Sequence, residues 1–255
     1  MRRLLPAAAT AFAVLLAGCG GDTPAASTPS TPPASPSASP ESAATTIQRA
    51  LERSFATTFT LRTSIRSKGA RINMDAQIDP VGRVFWATGN LPGPTEMRQL
   101  GETMYLKSDL VKGGRTWLSI DIRRLGPDSS LRRTFDPEAQ AGLLGGIVSA
   151  ESLGGGRYKG TADLTKAAGT AGPGSSAANN LEDILRVAAD PGRVPFEVRL
   201  EPGGRLTLFT YTLATKDGGD MVGELVIGGF GVAVNVDPPP EEDTEEASPA
   251  MYDAL

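Results

Sequence analysis

From residue 59 onward the apolar positions of this chain recur every second residue. In FTLRTSIR, Phe59, Leu61 and Ile65 alternate with Thr60, Arg62, Ser64 and Arg66; in RINMDAQID, Ile72, Met74, Ala76 and Ile78 alternate with Arg71, Asn73, Asp75 and Gln77. A period of two gives a strand one dry and one wet face, and the short Ser67-Lys68-Gly69 link predicts an antiparallel hairpin. Asp79-Pro80-Val81-Gly82 predicts the next turn, into GRVFWATG, with Val84 and Trp86 on one side and Phe85 on the other. TEMRQLG, ETMYLKS and TWLSIDI read as further strands, parted by Gly101-Glu102 and Lys112-Gly113-Gly114. VPFEVRLE, with Val194, Phe196, Val198 and Leu200 inward, then RLTLFTYTLA and DMVGELVIGGFGVAVNV, predict strands again near the end.

Three stretches carry the helical period instead. Ile47, Ala50, Leu51, Ser54 and Phe55 share one face of a helix for which Ser39 is the expected cap and Pro40 the first helical position. Asp136-Pro137-Glu138 predicts a second helix start, with Leu143, Leu144, Ile147 and Val148 as its apolar face, weakened by Gly142, Gly145 and Gly146. RYKGTADL reads as a strand and AAGTAGPGSSAAN as a flexible loop. Leu181, Ile184, Leu185 and Ala188 give a third helix, stopped by Asp190-Pro191-Gly192. Strands with one dry face and helices with one apolar stripe predict an α+β fold, a single antiparallel sheet with helices set against one face, over residues 41–238.

Charge and composition narrow the chemistry. There is no histidine and one cysteine, which removes Ser-His-Asp and Cys-His catalysis, imidazole–zinc sites and internal disulfides. No cofactor and no metal are expected, and no catalytic residues. LGGGRYKG, residues 153–160, lacks phosphate-loop spacing and reads as a plain turn. Asp75, Asp121 and Glu197 fall on wet strand faces, where a glycosidase pair is the remote enzymatic alternative. Seven acids and no base lie in residues 237–255, so residues 239–255 read as an acidic, disordered tail. Residues 41–236 hold 21 acids and 23 bases, without the positive excess of a nucleic-acid binder.

The N-terminus has its own pattern. Arg2-Arg3 precedes the apolar run Leu4–Ala17, the length of a secretory leader and short of the roughly 20 residues of a spanning helix. The tetrad Leu16-Ala17-Gly18-Cys19 that follows resembles the lipobox of bacterial lipoproteins. That resemblance implies a signal peptide over residues 1–18 and a diacylglyceryl group on Cys19, two acyl chains being enough for stable anchoring. Residues 20–40, with six prolines and no large apolar side chain, read as an extended tether of up to about 60 Å.

The series "GETMYLKS…GGRTWLSID", "YKGTADLTKA", "VPFEVRLEPGGRLTLFTYTL" and "GFGVAVNVDPPP", behind a lipobox and linker, resembles the actinobacterial lipoproteins of the LppX/LprG kind, within the wider LolA-like group. The similarity covers roughly residues 41–238 and lies in the order of several weak motifs. It implies a half-barrel: a strongly curved antiparallel sheet whose concave face is closed by helices around an apolar cavity for acyl chains. The expected protein is then a monomeric lipoprotein on the extracytoplasmic side of the cell membrane, binding or shuttling a lipid or glycolipid. Leu61, Met74, Trp86, Met104, Leu118 and Phe196 are the expected lining of the closed face, each equally suited to ordinary core packing. The alternative is a surface module with the same fold, packed solid, that binds or senses a protein.

Overall fold

The first predicted hairpin lies near the middle of the sheet. β1 (Phe59–Ser67) and β2 (Ala70–Asp79) pair with Leu61 opposite Ala76, Ile65 opposite Ile72 and Arg66 opposite Arg71. Lys68 and Gly69 turn between them, both at positive φ (41° and 81°), as the twist of a two-residue hairpin requires. The computed structural model describes residues 41–90, 93–109, 116–126, 129, 131, 141–171 and 176–252. The leader, Cys19, the linker, Lys112-Gly113-Gly114 and Asp136-Pro137-Glu138 lie outside the described residues.

The hairpin is followed by β3 (Val84–Asn90), β4 (Pro94–Leu100), β5 (Thr103–Ser108), β6 (Trp117–Asp121), β7 (Ile147–Gly154), β8 (Arg157–Ala162), β9 (Val194–Leu200), β10 (Leu206–Ala214), β11 (Asp220–Gly228) and β12 (Thr244–Glu246). They form one sheet in the order β12-β6-β5-β4-β3-β2-β1-β11-β10-β9-β8-β7. Every pairing between these strands is antiparallel except that of β12 with β6. The sheet curls without closing, since β12 and β7 are its two ends. The α+β class and the curved antiparallel sheet are those expected from the alternation and the resemblance.

One face of this curl is dry across its width. A cross-strand row runs Ile227, Leu61, Ala76, Ala87, Met97, Leu106, Leu118, each the direct partner of the next, and all are buried. Among the described residues four helices accompany the sheet: α1 (Ala43–Phe55), α2 (Leu164–Thr170), α3 (Ser176–Val187) and α4 (Pro249–Tyr252). α1 packs on β7 and β10, while α2 packs on α3 and on a 3-10 turn at Gly142–Gly146. Ile122, Leu125, Ala141, Leu143 and Leu144, from the segment after β6, join the same core. Inside it Ser54 is fully buried; its Oγ donates to the Ala50 carbonyl (2.6 Å) and accepts from the Leu206 N–H (2.8 Å), tying α1 to β10.

Four expectations are corrected. α1 starts at Ala43, capped by Ser42, whose Oγ accepts from the Thr45 N–H at 3.1 Å, instead of at Ser39-Pro40. The second predicted helix, where described, is the 3-10 turn followed by β7, with Val148 59% exposed on the strand. Three glycines in five residues resist an α-helix, and at Gly146 a side chain would collide with the Asp163 carbonyl. α2 runs from the end of the predicted strand into the supposed loop, and Asp163 caps it through the N–H groups of Thr165 (2.8 Å) and Lys166 (3.2 Å). The final strand stops at Gly228, because Gly229 and Gly231 at φ 57° and 78° leave the extended conformation.

The acidic tail also departs from expectation. Its described part, to Tyr252, is ordered against β6. β12 pairs Thr244 with Trp117 and Glu246 with Ser119. The Ala247 N–H donates to the Ser119 carbonyl (2.8 Å), and its side chain is 2% exposed. The Tyr252 hydroxyl accepts from the Asp121 N–H (2.9 Å) under the Arg124 guanidinium, 3.9 Å from the ring. The folded unit therefore extends past residue 238. An uncovered strand edge is a template for pairing with another chain, and the tail covers this one.

Ser54→Ala leaves the buried Leu206 N–H without its acceptor and should lower stability by about 1–3 kcal/mol in urea melts. Removing residues 241–255 should lower the melting temperature by several degrees and bring concentration-dependent self-association through β6, read by light scattering.

Candidate functional site

The covering helices do not fill the whole concave face. Between α3 and strands β1, β2, β9, β10 and β11 lies a cavity of about 390 Å³, within the roughly 300–1,000 Å³ of small-molecule sites. Its deep part is made of the buried side chains of Leu164, Leu181, Val194, Phe209, Leu213 and Leu225. Toward the tips of the β1–β2 and β10–β11 hairpins the lining becomes partly exposed, through Ile65, Ile72, Met221 and Val187, the last 42% exposed. The cavity thus has an apolar floor and a mouth toward the hairpin ends, while Thr63, Asn180 and Asp183 add polar groups to its wall.

Two strand glycines make room for aromatic rings, one of which, Tyr211, is in the wall. Gly223 pairs with Ile65 and with Tyr211, and a Cβ there would overlap the Tyr211 ring, its Oη 2.6 Å away. Gly160 does the same for Phe196, whose Cζ lies 2.7 Å from the position of a Cβ. Each aromatic ring lies over the glycine of the neighbouring strand. Phe209 sits between them, with ring centroids 6.4 Å from Phe196 and 5.6 Å from Tyr211. Tyr211 brings a hydroxyl to the wall; burial pushes its phenol pKa up.

The mouth is held by charge. Lys68 Nζ meets Asp217 Oδ2 at 2.7 Å and donates to the Asp217 carbonyl at 3.0 Å, locking the β1–β2 turn to the β10–β11 loop. Hydrogen bonds from Lys68 and then Thr215 (2.5 Å) lower the Asp217 pKa from 3.8 to about 2. On the far side Lys216 Nζ donates to the Arg186 carbonyl at 2.9 Å, fastening the end of α3. A second concavity, of about 590 Å³, lies along β7–β10 and is lined by Glu151, Lys159, Thr161, Glu197 and Thr210 among others; it is more polar. Among the described residues no group of three or more Cys, Asp or Glu is placed to hold a metal ion.

The six expected lining residues fall elsewhere. Leu61, Met104, Leu118 and Phe196 are buried on the dry face, and Met74 is partly buried there, packed on the core. None of them is in the cavity wall. Trp86 is a correction: Phe85 and Ala87 take the inward positions of β3, so Trp86 lies on the outer face, its Nε1–H donating to Glu96 Oε1 at 3.0 Å. The helical stripe of Leu181 and Ile184 did mark one wall. Leu143 and Leu164 were hidden because their segments read as a helix and a strand, and Tyr211 because its role depends on a glycine one strand away.

No protein-family model matches the chain, and no curated protein matches it. Among solved structures it is similar to an uncharacterized conserved protein from Thermus thermophilus, at 10% identity over 80% of this chain and 99% of that one, with a TM-score of 0.39. It is also similar to MucB in complex with the periplasmic part of MucA, at 13% identity over 78% of this chain and a TM-score of 0.31. The Pseudomonas aeruginosa MucA/MucB complex gives 13% identity, 78% of this chain and a TM-score of 0.33. The chain spans 58% and 59% of those two MucB chains.

Because the Asp217 pKa is lower in the folded chain, its ion pair contributes stability above about pH 4 and loses it as pH falls from about 4 to about 2. Protection against hydrogen exchange at residues 215–219, taken relative to the intrinsic rate at each pH, should fall across that window, and Asp217→Asn should abolish the step and be less protected at pH values above it.

Proposed function

We propose that this protein is a lipoprotein anchored through diacylglycerol on Cys19 to the extracytoplasmic side of the membrane. Its half-barrel carries one acyl chain of a lipid in the cavity beneath α3, in the manner that the likeness to the LppX/LprG lipoproteins implies. The observation that carries this reading is the mainly apolar cavity of about 390 Å³, whose deep part is formed by buried aliphatic and aromatic side chains. A hydrocarbon tail suits the deep part of this cavity, where Leu164, Leu181, Val194, Phe209, Leu213 and Leu225 give water no hydrogen-bonding side chain. Protein residues alone leave these side chains without packing on one side, and a chain of methylenes supplies it.

A second reading has one observation in its favour. Most of the dry face, including Phe85, Met97, Met104 and Leu118, is packed to 2% exposure or less. A lipoprotein that binds a protein partner through its outer face needs no more than that.

The full chain carrying Cys19→Ala should retain about one acyl lipid per protein in native mass spectrometry. Ile72→Trp puts a large side chain in the mouth at a strand position that tolerates aromatics; it should cut retained lipid at least fivefold and leave the melting temperature within about 3 °C. A protein that stays empty even after incubation with excess lysolipid would favour the protein-binding reading. In the unmodified chain, the N-terminal peptide should carry the mass of a diacylglyceryl group on Cys19.

A further inference from the structure

The two margins of this sheet differ. The β6 margin is covered by the chain's own β12. At the other margin, β7 has no strand beyond it among the described residues. Outside its ladder with β8, the β7 backbone takes part in two further hydrogen bonds there. Lys166 Nζ donates to the Ile147 carbonyl at 3.2 Å, and the Gly154 N–H to Ser152 Oγ at 3.3 Å. Bare edges are ordinarily guarded by lysine, proline or an inward-pointing charge. IVSAESLG, residues 147–154, has no lysine and no proline, and its one charge, Glu151, is neutralised by Lys159 of β8 at 2.8 Å. It carries two exposed apolar side chains instead, Val148 (59%) and Leu153 (41%).

Val148 and Leu153 both sit where the β7–β8 register shifts. Between them Ser149, Ala150, Glu151 and Ser152 pair regularly with Thr161, Gly160, Lys159 and Tyr158. A bulge at each end of that run limits how far an incoming strand can slide. The run is complementary to a copy of itself. Laid antiparallel about Ala150, it sets Ala150 opposite Ala150, Ser149 opposite Glu151 and Val148 opposite Ser152, with Ile147 facing Leu153. No like charges are then directly opposed, each Glu151 keeps its Lys159, and both exposed apolar residues are covered. Displaced by one residue, the pairing would turn the inner face of one sheet to the outer side of the other. Displaced by two, it would set Glu151 against Glu151 or, in the other direction, leave Leu153 beyond the paired strands.

We propose that β7 is the interface of a homodimer, in place of the monomer expected from the resemblance. Two copies join edge to edge about a two-fold axis at Ala150, and their sheets run on as one. A two-fold contact requires one patch to fit itself, and this strand does so in a single register. A ladder this short buries less than the roughly 1,200 Å² of a stable complex. The dimer therefore forms and dissociates with concentration. Nothing in the inference depends on what fills the cavity beneath α3, which lies between α3 and strands other than β7.

The test is sedimentation velocity of full-length Cys19→Ala protein over about a hundredfold range of concentration, up to the high micromolar. The mass should rise from that of one chain toward that of two. Val148→Lys/Leu153→Lys changes two exposed positions on the edge; it should weaken association at least about tenfold and leave the melting temperature within about 3 °C. Under a mild oxidant, Cys19→Ala/Ala150→Cys should cross-link to a dimer, because residues directly opposite have Cβ atoms about 4.5–5.5 Å apart. Cys19→Ala/Ser149→Cys places its two thiols on the diagonal, at roughly 7–8 Å, and should cross-link at least about tenfold more slowly. A chain that stays monomeric at every concentration overturns the proposal. Association untouched by the lysine pair places the contact elsewhere, the N-terminus included, and also overturns it. Equal cross-linking of the two cysteine variants removes the register and with it the two-fold pairing. No lipid enters these measurements, so each of these failures leaves the acyl-chain reading where it was.

Discussion

The inner face of this sheet is apolar across most of its strands, and an apolar face that wide has to be covered. The chain has little to cover it with. α1, the short α2 and α3 each bring one stripe, and a 3-10 turn adds Leu143 and Leu144. Curling the sheet reduces the area that needs covering, and the rest of the architecture answers that demand. Ser54 draws α1 onto β10 at one side, and the segment after β6 closes the other. In between, beneath α3, the side chains run short, and the cavity is the remainder.

Two strand glycines belong to the same problem. A ring laid flat across a neighbouring strand covers more of the inner face than one standing upright, but it needs a residue without Cβ beneath it. Gly160 and Gly223 provide that for Phe196 and Tyr211. The high glycine content, which in the sequence looks like looseness, is at these two positions the condition for close packing. The exposed ion pairs contribute little by comparison; Lys68–Asp217 matters for where it is, joining two hairpin ends across the mouth.

The sheet was legible because its signal is local: each alternation in β1, β2 and β9 declares its face without knowledge of the rest. What failed did so where the deciding contact is distant or the signal is diluted. Two threonines and Gly169 weaken the helical signal of LTKAAGT, residues 164–170, and the Asp163 cap is the cue that separates it from a loop. The acidic run at residues 241–246 has the composition of a solvated tail; only the bare edge of β6, more than a hundred residues earlier, gives it a place. Trp86 misled because its size suggests the interior, whereas its indole N–H finds Glu96 outside. The resemblance implies a cavity, but the lining draws on strands, helices and a turn far apart in the chain and has no signature in any one of them.

The parallel strand at the end of the chain has a kinetic corollary. β12 joins β6 across a separation of more than 120 residues, and contacts so remote in sequence are slow to form. Until residues 244–246 have docked, the β6 margin of the sheet stays unsaturated. The sheet is thereby completed late, after its local hairpins have formed.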